Sequence, residues 1–172
     1  MKWVKQSIHY WCPDTKEHKF LGQNVTVAIL DTGISPHPDF KGRILSFRDF
    51  SSTTVLFSFS HFSPLIDNSG HGTHVAGILA GSGLLSSGTY AGIAPFCNLI
   101  IGKVLDQNGN GSIKNVINGI QWIRDIYTQF HIRIINISVG TRPDLSIHQK
   151  LLLLNAVESL WDLGLVVVVS AG

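Results

Sequence analysis

The sequence predicts an α/β fold: a parallel β-sheet with crossover helices on both faces. Three observations carry this. Four β-branched apolar runs each stop at a turn signal or at the last residue. Stretches with helical periodicity fall between them. Apolar residues make up 44% of the chain and charged residues 14%, which suits a sheet covered on both sides.

Residues 1–21 are mixed, polar and aromatic, and read as an N-terminal arm. "NVTVAIL" (Asn24–Leu30) is a continuous apolar run, the signature of a strand buried on both faces, and it stops at "DTG". "SSTTVLFSFSHFSPLI" (Ser51–Ile66) is aromatic, Ser-rich and uncharged; it fits no regular element and reads as an irregular loop with an apolar underside. "HGTHVAGILAG" is a short small-residue helix candidate. "NLIIGKVL" (Asn98–Leu105) is the second strand and ends at "DQNGNGS". From Ser112, a plausible N-cap, Ile113, Val116, Ile117, Ile120, Ile123 and Tyr127 recur near helical spacing. "IRIINISVG" (Ile132–Gly140) is the third strand. A helix follows over 146–163, with Leu153, Val157, Leu160 and Leu163 inward and Gly164 at the C′ position. "LVVVVSAG" (Leu165–Gly172) is a fourth buried strand. Strands alternating with helices specify parallel pairing through crossovers.

Several function classes are disfavoured. The net charge is +2 and the thirteen Lys and Arg are scattered, so neither a nucleic-acid nor an anionic-membrane surface is indicated. Cys12 and Cys97 are not in a CxxC pair and read as two unpaired thiols. No apolar run approaches the roughly 18–20 residues of a membrane span. The first twenty residues carry charges throughout and no apolar core, so no export leader is expected and the cytoplasm is favoured. "GSGLLSSG" and "DQNGNGS" are glycine-rich, yet neither matches a dinucleotide or phosphate loop.

In an open α/β sheet, ligands bind beyond the carboxyl ends of the strands. Asp31 is the first residue past the first run. Alone it is an ordinary turn carboxylate; with Thr32 and Gly33 beside it the backbone is free to turn sharply. His71 and His74 lie three apart at the start of the helix candidate. Three readings stay open at this point. A buried aspartate orients an imidazole and stabilises the cation formed in reaction, which pairs Asp31 with His71. Asp31, His71 and His74 make a two-His, one-carboxylate metal set, although the zinc helix with His at i, i+4 and a glutamate between is absent. The third reading gives His74 a core or supporting role.

"VTVAILDTGISPHPDF" (Val25–Phe40) resembles the aspartate segment of subtilisin-like serine proteases, and "NSGHGTHVAGILAG" (Asn68–Gly81) their histidine segment. "AGIAPFCNLIIGKVLDQNGNGS" (Ala91–Ser112), "IINISVG" (Ile134–Gly140) and "VVVVSAG" (Val166–Gly172) continue the likeness in order. The resemblance implies a partial subtilisin-like peptidase domain over 22–172, a three-layer sandwich incomplete at its C-terminus. It makes Asp31 the orienting acid and His71 the general base. It makes Gly109, Asn110 and Gly111, with Ser138, Val139 and Gly140, two edge strands that bind an extended polypeptide substrate. Thr141 stands where many relatives have glycine, which narrows the pocket wall. It gives no nucleophilic role to Ser138 or Ser170 and leaves Cys97 in the core. The family's nucleophile lies in a GTSMA motif that does not occur here, and its oxyanion asparagine would follow Gly172. The expectation is an Asp/His half, inactive alone. Calcium is common in the family, but "AGSGLLSSGTYAGIAP" does not resemble its insertion; Asp39, which matches an aspartate of that site, reads as an exposed turn residue. No metal and no cofactor is expected. The rivals are a non-catalytic peptide-binding module and an Asp31/His71/His74 metal hydrolase. A last strand with nothing after it predicts a poorly soluble or molten isolated chain.

Overall fold

The computed structural model describes residues 2–10, 20–51, 65–140 and 145–170. Cys12, residues 52–64 of the Ser-rich stretch, Thr141 and the final Ala171–Gly172 lie outside the described residues. Helix α1 spans Lys2–Ser7, a turn of structure within the arm for which the sequence carries no periodic signal.

The strands are β1 (Thr26–Asp31), β2 (Ile44–Asp49), β3 (Asn98–Lys103), β4 (Ile132–Ile137) and β5 (Val166–Val169). They form one sheet in the order β2-β3-β1-β4-β5, and every pairing is parallel. The helices between them are α2 (His71–Ala80), α3 (Ile113–Ile126) and α4 (Ile147–Trp161).

Alternation along β1 assigns the two faces. Val27 and Ile29 pack with Ala76 and Ala80 of α2, while Ala28 and Leu30 pack with Ile120 and Ile123 of α3 and Leu160 of α4. Side chains two apart share a face of a strand, so one six-residue strand serves two cores. Burying each such large aliphatic side chain contributes about 1.5–3 kcal/mol. Every residue of β1 is buried, and Asp31 leaves this covered strand at its carboxyl end.

The helix starts follow the sequence. Ser112 accepts the Asn115 amide at 3.1 Å. Ser146 accepts the Gln149 amide at 3.2 Å while Gln149 accepts the Ser146 amide at 3.1 Å, a reciprocal capping box. Past α4, the Leu165 amide bonds Leu160 O and the Gly164 amide bonds Trp161 O, the backbone closure expected with glycine after a helix.

Two expectations change. β2, which the sequence reading lacks, is an edge strand carrying Ser46, Arg48 and Asp49, so it has no continuous apolar run. The strand at Val166–Val169 is not buried: it pairs with β4 alone among the described strands, and Val166, Val168 and Val169 are 58%, 47% and 56% exposed.

Candidate active site

α2 must begin beside the end of β1 for the candidate pair to meet, and the sequence makes that approach close. A Cβ on Gly72 would lie 2.2 Å from Gly33 O and 3.2 Å from Asp31 Oδ1. A Cβ on Gly33, whose φ is +119°, would lie 2.0 Å from Ile66 O. Glycine at both positions lets the helix and the turn sit backbone against backbone.

The first turn of a helix exposes amides with no partner inside the helix. Gly70, at the N-cap, offers no side chain. Two neighbours take over. Thr32 Oγ1 accepts the Gly72 amide at 2.9 Å, and Asp67 Oδ2 accepts the Thr73 amide at 2.8 Å and the Thr73 hydroxyl at 2.6 Å. Asp67 Oδ1 accepts the Gly70 amide and the Thr32 hydroxyl, both at 2.9 Å. Burial raises the Asp67 pKa, but hydrogen bonds from the Thr73 side chain and amide, Gly70 and Thr32 outweigh it and hold the carboxyl below the usual carboxylate range.

His71 Nδ1 then lies 2.7 Å from Asp31 Oδ1. The same oxygen accepts the Thr32 amide at 2.6 Å. The tautomer that satisfies this contact carries its proton on Nδ1 and leaves the Nε2 lone pair open. Asp31 is fully buried, whereas the His71 side chain is 56% exposed, so the carboxyl group is sheltered and the imidazole faces outward. Asp31 Oδ2 is buried and has no hydrogen-bond partner among the described residues.

Lys103, at the end of β3, is buried, and its Nζ donates to Thr32 O and Leu105 O, each at 2.6 Å. It ties the turn after β1 to the turn after β3. Asp67 and Lys103 are the two residues the sequence reading missed. The signals were present: a carboxylate shortly before a helix whose cap position is glycine, and a charge inside an otherwise apolar strand.

Other expected residues sit elsewhere than the sequence reading put them. His74 is not in the core: it is exposed and lines a depression of about 310 Å³ with His37, Asp39, Phe40, Ile78 and Tyr90. Gly72, Ala76 and Ala80 form the buried stripe of α2, and His74, two residues after Gly72, falls on the far side. The Asp31/His71/His74 set is not assembled, since among the described residues no three His, Cys, Asp or Glu gather at metal-binding range. Asp39 is not an exposed turn residue; its side chain is 13% exposed. Its Oδ2 accepts the Gly83 amide at 2.9 Å and its Oδ1 the Leu85 amide at 3.4 Å. Arg43 reaches Cys97 O at 2.9 Å, Ala80 O at 2.7 Å and also Asp39 O. Cys97 is buried in the α2-side core.

Neither candidate substrate segment is a strand. After β3, the Asn108 and Asn110 amides bond Asp106 Oδ1 at 2.8 and 2.9 Å, and Gly109 takes φ +75°. These bonds curl Gly109 and Asn110 into an exposed turn, and Gly111 continues it as exposed coil. After β4, Ser138, Val139 and Gly140 are coil. Ser138 Oγ accepts from Asn136 Nδ2 at 2.7 Å, and Ser170 Oγ donates to Val139 O at 3.1 Å, so both hydroxyls have other partners than His71. The two segments extend from β3 and β4, the strands on either side of β1, and so flank the edge from which Asp31 emerges.

Fold and site together define the class: a three-layer α/β domain whose acid–imidazole pair stands at the carboxyl edge of its central strand. The model of the Subtilase family (peptidase S8) matches residues 22–172, and the chain belongs to that family. It is 43% identical over 156 residues to the Serine protease AprX of Bacillus subtilis (strain 168), covering 88% of this chain and 33% of that protein. From the same organism, the Major intracellular serine protease is 37% identical (88% of this chain, 43% of that one). The Minor extracellular protease Epr is 36% identical (88% and 20%). Names on both sides of the cell boundary mean that family membership assigns no compartment. No helix among the described residues is long and apolar enough to cross a membrane. The solved structure of Sphericase superposes with a TM-score of 0.74 at 29% identity, covering 88% of this chain and 46% of that one. The chain thus spans less than half the length of each of these relatives.

Proposed function

We propose that these residues are the acid–base half of a serine endopeptidase active site, with Asp31 as orienting acid and His71 as general base. The observation that carries the reading is the 2.7 Å contact between His71 Nδ1 and a fully buried Asp31. A serine supplied from outside these residues would give its proton to His71 Nε2 as its oxygen attacks the peptide carbonyl. His71 would return that proton to the leaving amine, and a water would then release the acyl group by the same route. Asp31 would orient the ring and steady the imidazolium at each step. The extended polypeptide lies between the segments Gly109–Gly111 and Ser138–Gly140, which would pair with it once it is bound.

The reading includes no resident metal. Calcium takes six to eight oxygen ligands, whereas the Asp39 oxygens already accept the backbone amides of Gly83 and Leu85. Those amides compete with a cation for the Asp39 oxygens, which supports a reading without one.

Fluorophosphonate labelling tests the proposal. Residues 1–172 alone are expected to remain unlabelled. The polypeptide continued through its own reading frame is expected to label at a serine, and His71→Ala to abolish it. A longer form that binds peptide without labelling would instead favour a non-catalytic binding module.

A further inference from the structure

We propose that Asp67 is a positioning residue for the Asp31–His71 pair, acting through the Thr32 hydroxyl; the inference deepens the catalytic reading above and rests on it.

The pair joins two segments forty residues apart, and nothing in the sequence connects them locally. Their registration depends on what binds the turn after β1 to the first turn of α2. One carboxylate touches both. Asp67 Oδ1 accepts the Thr32 hydroxyl at 2.9 Å, the Gly70 amide at 2.9 Å and the Ser69 amide at 3.2 Å. Its Oδ2 accepts both the amide and the hydroxyl of Thr73. Thr32 follows Asp31 directly; Gly70 precedes His71, and Thr73 is two residues beyond it.

The Thr32 hydroxyl both donates and accepts. Its proton goes to Asp67, and a lone pair accepts the Gly72 amide at 2.9 Å. The Thr32 amide meanwhile donates to Asp31 Oδ1, the oxygen that holds His71. The network therefore runs from Asp67 to Thr32, and from Thr32 both to the backbone after His71 and to the carboxylate of Asp31. Among the described residues, each partner of the Asp67 carboxylate oxygens is a donor, which suits an acceptor-only side chain. An amide in its place would set its own N–H groups against those of its neighbours. The depressed Asp67 pKa agrees with this donor-rich surrounding. Reactive geometry tolerates displacements well under an ångström, which gives a lock outside the reacting atoms its purpose.

The readout is the solvent exchange of the His71 Nδ1 proton, followed by NMR in the longer polypeptide. The wild type is expected to show a slowly exchanging proton. Thr32→Val, which keeps the shape and removes the hydroxyl, and Asp67→Asn are expected to speed its exchange at least tenfold. Thr32→Ser, which restores the hydroxyl, is expected to keep it slow, as is Ile123→Val, a core truncation serving as a stability control. In the serine-bearing polypeptide, Thr32→Val is expected to lower kcat about tenfold and leave KM unchanged.

Wild-type exchange in both Thr32→Val and Asp67→Asn would overturn the proposal and leave the catalytic reading standing. Equal acceleration in Ile123→Val would also overturn it, by reducing the effect to stability. A wild-type chain without the slow proton would remove the pair and the proposal together. A slow proton with the expected variant pattern, but no fluorophosphonate labelling, would support the lock and remove only the proteolytic reading.

Discussion

Gly72→Ala is the substitution whose outcome the structure determines most sharply. The added methyl carbon would meet Gly33 O at 2.2 Å and Gly33 N at 3.0 Å. Relief to an ordinary contact needs about 1 Å of separation between the start of α2 and the turn after β1. Added along the Asp31–His71 line, that turns a 2.7 Å contact into about 3.7 Å, beyond hydrogen-bond range. A clash with backbone sits at the upper end of overpacking penalties, about 3 kcal/mol. Losing the Gly72–Thr32 hydrogen bond costs about 1 kcal/mol. Alanine regains about 1 kcal/mol of helix propensity. The net loss is about 3 kcal/mol, which lowers the melting temperature by about 6–12 °C for a chain of this size. The comparison is Gly77→Ala on the same helix, where an added Cβ meets nothing within 4 Å and propensity alone should stabilise by about 0.5–1 kcal/mol. Thermal and urea unfolding of both variants is the assay. Gly72→Ala as stable as wild type would refute the close approach on which the site is built.

Three further outcomes follow from the same structure. The Asp67 carboxyl has a depressed pKa in the folded state, so its contribution is present above the unfolded carboxylate value of about 3.9 and is lost as pH falls through the lower folded value. Asp67→Asn should therefore flatten the acid limb of the urea midpoint against pH, and an unchanged limb would contradict the assignment. Burial pushes the Cys97 thiol up to about 11, partly offset by Arg43, so iodoacetamide near neutral pH should modify Cys97 only after denaturation, as peptide mapping would show. Leu151, Leu154 and Trp161 of α4 and Val166 and Val168 of β5 are exposed, which predicts self-association of residues 1–172 expressed alone. Leu154→Lys with Val168→Lys should raise solubility and change stability by less than about 0.5 kcal/mol.

The interior strands were legible because both faces of β1 and β3 are covered, which writes a continuous apolar run into the sequence. β2 was illegible for the converse reason: at the sheet edge its residues are only partly buried, and polar and apolar types mix. Ser112 announced its helix through cap chemistry, whereas the capping box of Ser146 and Gln149 emerged only from the structure. α2 announced less, because Gly70 hands the capping to Thr32 and to Asp67, and no local pattern reveals a cap made partly by another strand's turn. Asp31 and His71 were legible as positions, one at a strand end and one at a helix start. Their pairing was expected from the family resemblance and is met at 2.7 Å; the spacing alone left it open beside the metal set, since the approach depends on two glycines meeting across the fold. His74 was misplaced because helical spacing shows which residues share a face but not which face meets the sheet; here Gly72, Ala76 and Ala80 do. Asp39 was misread because its partners, the amides of Gly83 and Leu85, lie more than forty residues away.

The tautomer of His71 tests the central claim most directly. Nitrogen-15 NMR of the neutral form of the imidazole should show Nδ1 protonated and Nε2 bare, and Asp31→Asn should move the proton to Nε2. A wild-type ring carrying its proton on Nε2, or a spectrum that Asp31→Asn leaves unchanged, would contradict the account.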